Sequence, residues 1–266
     1  KSITFSMSTG IGVIVGVGMF GGMMTLPLIL QIVKGASPTE AGLLMIPMTI
    51  GMMTASMGSG IITGRTGKYK IFMVVGTGMM TISYLYFAQM KYDWEIWQIS
   101  IGMVVMGLGL GQLMQTLTIA AQNAVEPRDI GVATSSATFF RQIGGTAGVA
   151  VFLSILFATL ADKGSWIGEQ IKSVLMAKPE LLMLPENAIL KDTATGGIAD
   201  MVATDSSFLQ TISPEISEPI LIAFTEAGVT VFAAAAAVIF IGFILTWFVK
   251  EVPLRQMSGV AAKAEE

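Results

Sequence analysis

The chain has 266 residues, of which 53% are hydrophobic and only 12% are charged, and its formal net charge is −3. An average soluble domain carries about 25% charged residues, so this composition predicts a polytopic membrane protein, and the small net charge gives no reason to expect nucleic acid as a partner. Histidine and cysteine are absent, which excludes imidazole bases, thiolate chemistry and disulfides. No enzymatic, metal or cofactor site is predicted.

Six apolar blocks follow one another along the chain. About 20 mainly apolar residues are enough to cross a bilayer, so the blocks predict an all-α bundle of six transmembrane helices. Spans one to five fall within residues 1–160, residues 161–218 form one long loop, and a sixth span and a short polar tail follow. We place the spans at about residues 6–33, 41–62, 71–90, 96–120, 132–160 and 219–249, and the tail at 250–266.

Lys and Arg residues are distributed unevenly over the two sides of this arrangement. Cytoplasmic loops carry an excess of these residues, and the short loops and ends on one side hold Lys1, Arg65, Lys68, Lys70, Arg128, Lys250, Arg255 and Lys263. The opposite short loops hold only Lys34 and Lys91. Both termini are therefore predicted to be cytoplasmic, and the 161–218 loop to lie outside. We expect that loop to form a solvated cap of short helices or, as an alternative, a docking surface for an outer partner.

Polar residues form a stripe on each of two consecutive spans, because residues three or four apart share a helix face. Membrane helices usually turn such residues toward a bundle interior or a water-filled cavity, so the two stripes are expected to line a shared cavity. On span four the stripe is Gly111, Gln115, Thr118 and Gln122, with Gln112 adjacent. On span five it is Thr134, Thr138, Arg141, Gly145 and Gly148, and Gln142 follows the arginine.

Arg141 is the most unusual member of these stripes. It lies about ten residues beyond the preceding loop, or ~15 Å, which is near the middle of the bilayer. A charge at that depth is costly and needs acceptors. Its partners would be the neutral acceptors Gln112 and Gln115, or a carboxylate that this chain does not contain, because Glu226 is expected near the outer interface. Two roles for Arg141 therefore remain open. It takes part in substrate passage or conformational coupling, or it makes a purely structural contact between helices.

Three motifs resemble those of one transporter family. The stretch "LPLILQIVKGASPTEAGLLMIP" is similar to a helix-end and turn pattern of the fourteen-span drug:proton antiporters in the major facilitator superfamily. The segments "GIITGRTGKYK" and "GVATSSATFFRQIGGTAGVAV" are similar to its cytoplasmic loop motif and its penultimate span, although Gly64 stands where the loop motif has Asp. The matching residues of the first motif are Pro27, Gln31, Gly35, Ser37, Pro38, Ala41, Gly42 and Pro47, and those of the second are Gly60, Arg65, Gly67, Lys68 and Lys70.

This resemblance implies that the chain is the C-terminal six-span half of such a transporter. The first residue is Lys1 and no signal-peptide pattern precedes the first span, so we expect a piece of a longer protein. The resemblance places the proton-coupling carboxylates in the N-terminal half, which would be a partner together with the lipid bilayer, protons and a small-molecule substrate.

The resemblance implies proton-coupled export of amphipathic or cationic organic compounds across the plasma (inner) membrane. The chain has 20 methionines, which would serve either as adaptable cavity walls or as ordinary core and lipid-facing residues. Two alternatives remain open. One is the same fold transporting another metabolite or an anionic solute, which Arg141 would suit, and the other is a truncated or non-transporting membrane module.

Overall fold

The computed structural model describes residues 3–184, 187, 209 and 211–249. All regular secondary structure within those residues is helical, which confirms the predicted all-α bundle. Within this part of the chain, six helical segments are long and apolar enough to cross a membrane, namely Ser6–Ile32, Pro38–Thr66, Lys70–Phe87, Ile96–Asn123, Pro127–Asp162 and Pro214–Phe248. The tail predicted at 250–266 lies outside the described residues.

We number the helices in chain order. They are α1 (Ile3–Ile32), α2 (Pro38–Leu44), α3 (Ile46–Thr66), α4 (Lys70–Phe87), α5 (Ile96–Asn123), α6 (Ile130–Asp162), α7 (Gly164–Ala177) and α8 (Pro214–Phe248). Short 3-10 turns at Pro127–Asp129 and Pro179–Met183 precede α6 and follow α7. The second membrane-capable segment comprises both α2 and α3, and α7 lies within the region predicted as a long loop.

Local chemistry sets several of these boundaries. Gly35 and Gly67 have φ angles of 67° and 73°, a left-handed conformation that favours glycine. Ser37 and Glu40 form a capping box at the start of α2, because the Glu40 amide donates to the Ser37 hydroxyl and the Ser37 amide donates to the Glu40 carboxylate. Pro47 has no N–H group and is tolerated in the first turn of α3, where α2 and α3 meet.

The helices pack in two related sets. The largest helix–helix interfaces join α3 to α5, α1 to α6, α4 to α5, α8 to α4 and α1 to α8. The first three spans are α1, α3 and α4, and the last three are α5, α6 and α8. If the first span is exchanged with the fourth, the second with the fifth and the third with the sixth, the same set of interfaces results. Transporter halves built from two three-span repeats of inverted topology have this property.

Glycines allow the closest of these approaches. A Cβ atom at Gly107 or Gly111 of α5 would overlap backbone carbonyl oxygens of α3, and one at Gly144 or Gly148 of α6 would overlap backbone carbonyl oxygens of α1. Membrane helices associate through small residues of this kind because their backbones can then approach each other. The α3–α5 and α1–α6 pairs are therefore tightly packed.

The helix α7 defines one end of the bundle, which we call the cap face; the opposite end, where α1 begins, is the N-terminal face. Ile167 and Ile171 of α7 are buried. An ion pair joins Lys163 to Glu226, and a second, at 3.1 Å, joins Lys178 to Glu215. Partly exposed pairs contribute little, about 1 kcal/mol or less each, so apolar burial accounts for most of the stability of this contact.

Candidate functional site

A cavity of about 880 Å³, open on one side, lies along α3 and reaches α5 at Gln115. This volume is within the range of small-molecule binding sites, about 300–1,000 Å³. Its walls are mostly methionine and isoleucine side chains of α3, together with one residue of α5. The lining residues are Ile50, Met52, Met53, Thr54, Ser56, Met57, Gly60, Ile61 and Gln115.

The helical repeat of α3 produces the apolar wall. Ile50, Met53, Met57 and Ile61 are three or four residues apart and therefore share one face of the helix. All four are strongly exposed, and Met57, with 71% of its surface accessible, is the most exposed of them. This face of α3 is thus mostly uncovered by the other described helices.

Gln115 supplies the α5 side of the cavity. The glycines at 107 and 111 bring α5 against α3, and Gln115 follows one turn after Gly111 on the same face. Gly60 of α3 lies opposite Gln115. A Cβ atom added to Gly60 would be in ordinary van der Waals contact with the Gln115 side chain, at 3.5 Å. The Gln115 amide has no hydrogen-bond partner among the described residues, so it is available to a ligand in the cavity.

The chemistry of the cavity is apolar with a few neutral polar groups. The Thr54 hydroxyl donates to the carbonyl oxygens of Ile50 and Gly51, at 2.9 and 3.0 Å, so it is already bonded within its own helix. No charged side chain is among the lining residues. Methionine side chains are flexible and polarisable, and they adapt to ligands of different shape. The cavity therefore suits amphipathic organic molecules with few polar groups.

The structure does not bring the two predicted polar stripes together along their length. Gln112 is 9% exposed and turns toward α4, where its Nε2 donates to the Met79 sulfur at 3.4 Å and to the Leu108 carbonyl at 3.2 Å. The stripes meet at the N-terminal face, where Gln122 Nε2 donates to the Thr134 hydroxyl at 3.0 Å. Gln112 and Gln122 thus join α5 to its neighbours, and only Gln115 of the three glutamines reaches the cavity.

Arg141 lies on α6, outside the set of residues that line the cavity. Its side chain is half-buried, as is that of Thr138, whereas Gln142 is exposed. No hydrogen bond or ion pair of the Arg141 guanidinium joins it to another described residue. Gln112 and Gln115, the neutral acceptors predicted from the sequence, do not bond to it. Glu226, the nearest predicted acid, is bound to Lys163 at the cap face.

Four of the five residues of the loop motif, all except Gly60, lie at the N-terminal face. Gly67 ends α3, and its amide donates to the Thr63 carbonyl. Lys70 donates from Nζ to the Trp247 carbonyl oxygen at the end of α8, at 2.8 Å, an arrangement that favours a cation because the C-terminal carbonyls of a helix carry partial negative charge. Arg65 and Lys68 are exposed. Gly60 of the same motif lines the cavity.

The helix-end signature lies near the cap face. Pro27 is inside α1, where it supplies no backbone donor, and Gln31 is half-buried in the last turn of that helix. Beyond it, Lys34 donates from Nζ to the Tyr92 carbonyl oxygen at 2.5 Å, and the Tyr92 hydroxyl donates to Glu218 at 2.6 Å. Burial lowers the pKa of Lys34 below its ordinary value, and the charge of Asp93 opposes that change.

Sequence reasoning missed two buried polar residues. Tyr84 is fully buried between α1 and α8. It stands within an apolar run of the sequence, and such a run does not indicate which helices the side chain will contact. Asn187 is fully buried in the connection between α7 and α8, and its side chain bonds to Leu181 and Ser213. In the sequence, Asn187 is one polar residue within a long loop, and nothing around it predicts that its side chain is buried.

Comparison with known proteins agrees with this geometry. Residues 4–149 match the sequence profile of the Major Facilitator Superfamily. The chain is 35% identical over 95% of its length to an uncharacterised MFS-type transporter of Mycobacterium tuberculosis, and 30% identical over 93% of its length to a tetracycline resistance determinant of Streptomyces rimosus. It is also 29% identical over its whole length to the multidrug transporter protein MdtP of Bacillus subtilis.

These relatives differ from the chain in length. The chain spans 33% of the mycobacterial protein, 51% of MdtP and 72% of the Streptomyces protein. The matched profile covers more than half of the chain, and the six membrane-capable helices have the related packing of inverted repeats. The chain therefore belongs to the major facilitator superfamily of membrane transporters.

Proposed function

We propose that the chain is the C-terminal six-span half of a proton-coupled multidrug efflux transporter. The cavity between α3 and α5 is the observation that carries this proposal. Its methionine and isoleucine walls bind apolar parts of a substrate, and the Gln115 amide bonds to one polar group. A site of this kind selects for amphipathic character more than for one shape.

The names of two relatives support export of drugs. One is a tetracycline resistance determinant and another a multidrug transporter, and both match nearly all of this chain. Superfamily transporters consist of two six-span halves that move around a site near the middle of the membrane. The α3 face and the exposed side of α6 are the surfaces that would contact the other half.

Proton coupling is assigned to the rest of the full-length protein. The acidic residues of the described region lie in loops, in the cap helix α7 or near the ends of the spans. A coupling carboxylate needs a position near the substrate site, and the sequence resemblance places such residues in the N-terminal half. The resemblance implies the plasma membrane, and the asymmetry of Lys and Arg between the two sides supports an orientation with both ends of this half in the cytoplasm.

Export of an organic anion is the second candidate function. The observation that favours it is the Arg141 guanidinium, which has no partner among the described residues and would bind an anionic group. A substrate anion bound to Arg141 would lie outside the cavity described above, because Arg141 does not line that cavity. A non-transporting membrane module is the third possibility, and it predicts no export of either class.

The test measures export by the full-length protein that contains this chain. Cells without their own efflux pumps are loaded with a lipophilic cation, a neutral polycyclic dye or an organic anion, and the efflux rate is followed with and without a proton gradient. We expect export of the first two probes, abolished when the gradient is collapsed. Export of the anion alone would favour the second candidate, and export of none would favour the third.

A matched pair of variants tests whether the cavity binds the probes. Met57 in the cavity and Met176 on α7 are equally exposed, at 71% and 70%. Met57→Gln places an amide in the apolar wall and should raise the KM for export several-fold. Met176→Gln makes the same chemical change outside the cavity and should leave the KM unchanged. Equal effects of the two substitutions would contradict the assignment of the cavity.

A further inference from the structure

A second cavity, of about 350 Å³, opens at the cap face between the α4–α5 loop and α8. Residues 90–93 of the loop form one wall, and Ile222, Thr225 and Glu226 of α8 form the other. The volume is at the lower end of the range for small-molecule sites, about 300–1,000 Å³. This cavity shares no residue with the cavity along α3, so the two are separate sites.

The charged groups of this second cavity are of both signs. Lys91 contributes an ammonium group, and Asp93 and Glu226 contribute carboxylates. Glu226 is paired with Lys163 of α6. The Lys91 side chain has no hydrogen bond or ion pair with another residue that the structure describes. The Asp93 carboxylate interacts with the charge of Lys34 but accepts no hydrogen bond from the described residues. One cation and one anion of the wall are therefore available to a ligand.

An apolar stripe runs along α8 away from the cavity. The exposed residues that follow Glu226 at intervals of three or four share its helix face; they are Thr230, Ala233, Ala237, Phe240 and Ile244. The Thr230 hydroxyl donates to the Glu226 carbonyl oxygen at 3.0 Å, so it needs no partner outside the helix. The stripe therefore suits contact with hydrocarbon.

The length of this stripe matches the hydrocarbon core of a bilayer. Trp247 follows Glu226 by 21 residues, which is about 32 Å along a helix, and a hydrocarbon core is about 30 Å thick. Trp247 is 59% exposed, as is Trp97 in the first turn of α5, and Tyr92 of the cavity wall is 37% exposed. Aromatic side chains of this kind collect at membrane–water interfaces. The cavity therefore lies at the level of the lipid headgroups on the cap side.

The exposed face of α4 adjoins the α8 stripe. Gly78, Ile82 and Leu85 share one face of α4, and a Cβ atom at Gly78 would lie 3.3 Å from the ring of Phe243 on α8. Ile82 and Leu85 are 62% and 51% exposed. The two alanines of the stripe leave a shallow depression beside these larger side chains. An acyl chain can lie in it and reach the cavity with its polar end.

We propose that this cavity binds the headgroup of a zwitterionic phospholipid that carries a primary ammonium group, and that an acyl chain of the same molecule lies along the α8 stripe. An ammonium group has three N–H donors, which suit the carboxylates of Asp93 and Glu226, and the phosphate suits Lys91. Hydrogen bonds between charged groups are stronger than neutral ones. A choline headgroup has no N–H donor and a glycerol headgroup has no cation, so both are less complementary. The inference goes beyond the proposed function, because it requires no drug export.

The first experiment compares phospholipids that differ only in the headgroup. The full-length protein is freed of lipid in detergent and titrated with phosphatidylethanolamine, phosphatidylcholine or phosphatidylglycerol of identical acyl chains, and binding is followed by native mass spectrometry. Phosphatidylethanolamine should occupy one saturable site with a Kd roughly tenfold lower than the other two lipids, because only it makes charge-assisted bonds to both signs of charge. Equal Kd values for the three lipids would show contact with bulk lipid only, and the proposal would be wrong.

The second experiment assigns the two charges of the cavity. Asp93→Asn should raise the Kd for phosphatidylethanolamine to that for phosphatidylcholine, because it removes the acceptor that distinguishes them. Lys91→Gln should weaken binding of all three lipids, since all contain the phosphate. Glu169→Gln and Lys172→Gln make the same changes at exposed positions of α7 outside the cavity, and they should change no Kd. Equal shifts at the cavity and at α7 would contradict the site.

A substitution in the stripe tests the position of the acyl chain. Ala237→Trp fills the depression and should weaken binding of phosphatidylethanolamine, but it should not change the weaker binding of soluble glycerophosphoethanolamine. Ala177→Trp, at an exposed position of α7, is the control and should change neither value. If Ala237→Trp has no effect on the phospholipid, the proposed position of the acyl chain is wrong.

Competition distinguishes a lipid site from a site for exported cations. Tetraphenylphosphonium, a lipophilic cation without N–H donors, should not displace phosphatidylethanolamine from the cavity. If it displaces the phospholipid and its own binding is lost in Asp93→Asn, the cavity binds cationic substrates and the proposal is wrong. All these measurements need no transport, so they remain decisive if the full-length protein exports none of the probes.

Discussion

The Tyr84 hydroxyl on α4 donates a hydrogen bond to the Gly18 carbonyl oxygen on α1, with 2.6 Å between the two oxygens. The Tyr84 ring lies against Gly22, one turn further along α1, and stacks on Phe232 of α8 with the ring centroids 6.3 Å apart. Three of the six spans therefore meet at one fully buried side chain. The contact depends on a glycine at position 22, since only its missing Cβ leaves room for the ring.

Gly22→Ala should destabilise the bundle. The added Cβ would overlap the Tyr84 ring and hydroxyl, and the ring has no free space because its other side is packed on Phe232. Overpacking of a filled core costs about 1–3 kcal/mol, so we expect a lower Tm in detergent. Gly12→Ala on the same helix is the control, because nothing lies within 4 Å of its added Cβ. A fall in Tm of equal size for both would contradict the Tyr84 contact.

Tyr84→Phe should have a smaller effect of the same sign. The substitution keeps the ring and removes the hydroxyl, so it loses one hydrogen bond between spans and leaves the packing unchanged. Such bonds contribute about 0.6–2 kcal/mol in membrane proteins. Thermal unfolding of Tyr84→Phe beside Gly22→Ala measures the order of the two effects. If Tyr84→Phe is the more damaging, the hydroxyl has a role that its bond to Gly18 does not explain.

The sequence was sufficient to predict the fold class because each span is a continuous apolar block. Length and hydropathy alone distinguish such blocks from loops, so an all-α bundle with six membrane-capable helices was predicted and confirmed. The partner of Tyr84 could not be predicted, because the pairing of α4 with α1 is a contact between segments 66 residues apart in the chain. Periodicity shows which residues share a face but not which helix that face meets.

The polar stripes show the same limit at the candidate site. Gln112 and Gln115 were predicted to line one cavity together, yet they are three residues apart and turn to different neighbours, α4 and α3. Two side chains that are three residues apart point in directions that differ by about 60° around the helix axis. This difference is enough for them to contact different neighbouring helices. Gly107 and Gly111 decide the outcome, since their contact with α3 fixes the rotation of α5.

Gly111→Ala should impair both stability and substrate binding. An added Cβ would overlap the Met52 carbonyl oxygen and crowd the Ser56 amide of α3, and backbone atoms cannot move as a flexible side chain does. The helices would separate where Met52, Ser56 and Gln115 line the cavity. We expect a lower Tm and a several-fold higher KM for export. Gly58→Ala on α3 meets nothing within 4 Å, and it should leave both values unchanged.

Asn187→Ala should loosen the connection between α7 and α8. The Asn187 amide donates to the Leu181 carbonyl and the Ser213 hydroxyl, each at 2.8 Å, and its carbonyl oxygen accepts from the Ser213 amide at 3.0 Å. Loss of partners for buried polar groups costs about 1–3 kcal/mol for each group. Limited proteolysis should cut this connection faster in the variant. The exposed Gln170→Ala is the control, and equal cleavage rates for the two variants would contradict the prediction.

Tyr92 should make the stability of the cap face depend on alkaline pH. Its hydroxyl donates to the Glu218 carboxylate, and this bond, together with the negative charge of Glu218, raises the pKa of Tyr92 above its ordinary value. A raised pKa in the folded state means that the contribution to stability is complete below the unfolded pKa of about 10 and is lost as the pH rises through the folded value. The Tm of the wild-type protein should therefore fall more steeply above pH ~10 than that of Tyr92→Phe. Lys34, which bonds to the Tyr92 backbone carbonyl oxygen, is present in both proteins, so the difference between the two curves isolates the phenol. Parallel curves from pH ~8 to ~11 would show that the bond to Glu218 does not stabilise the folded state.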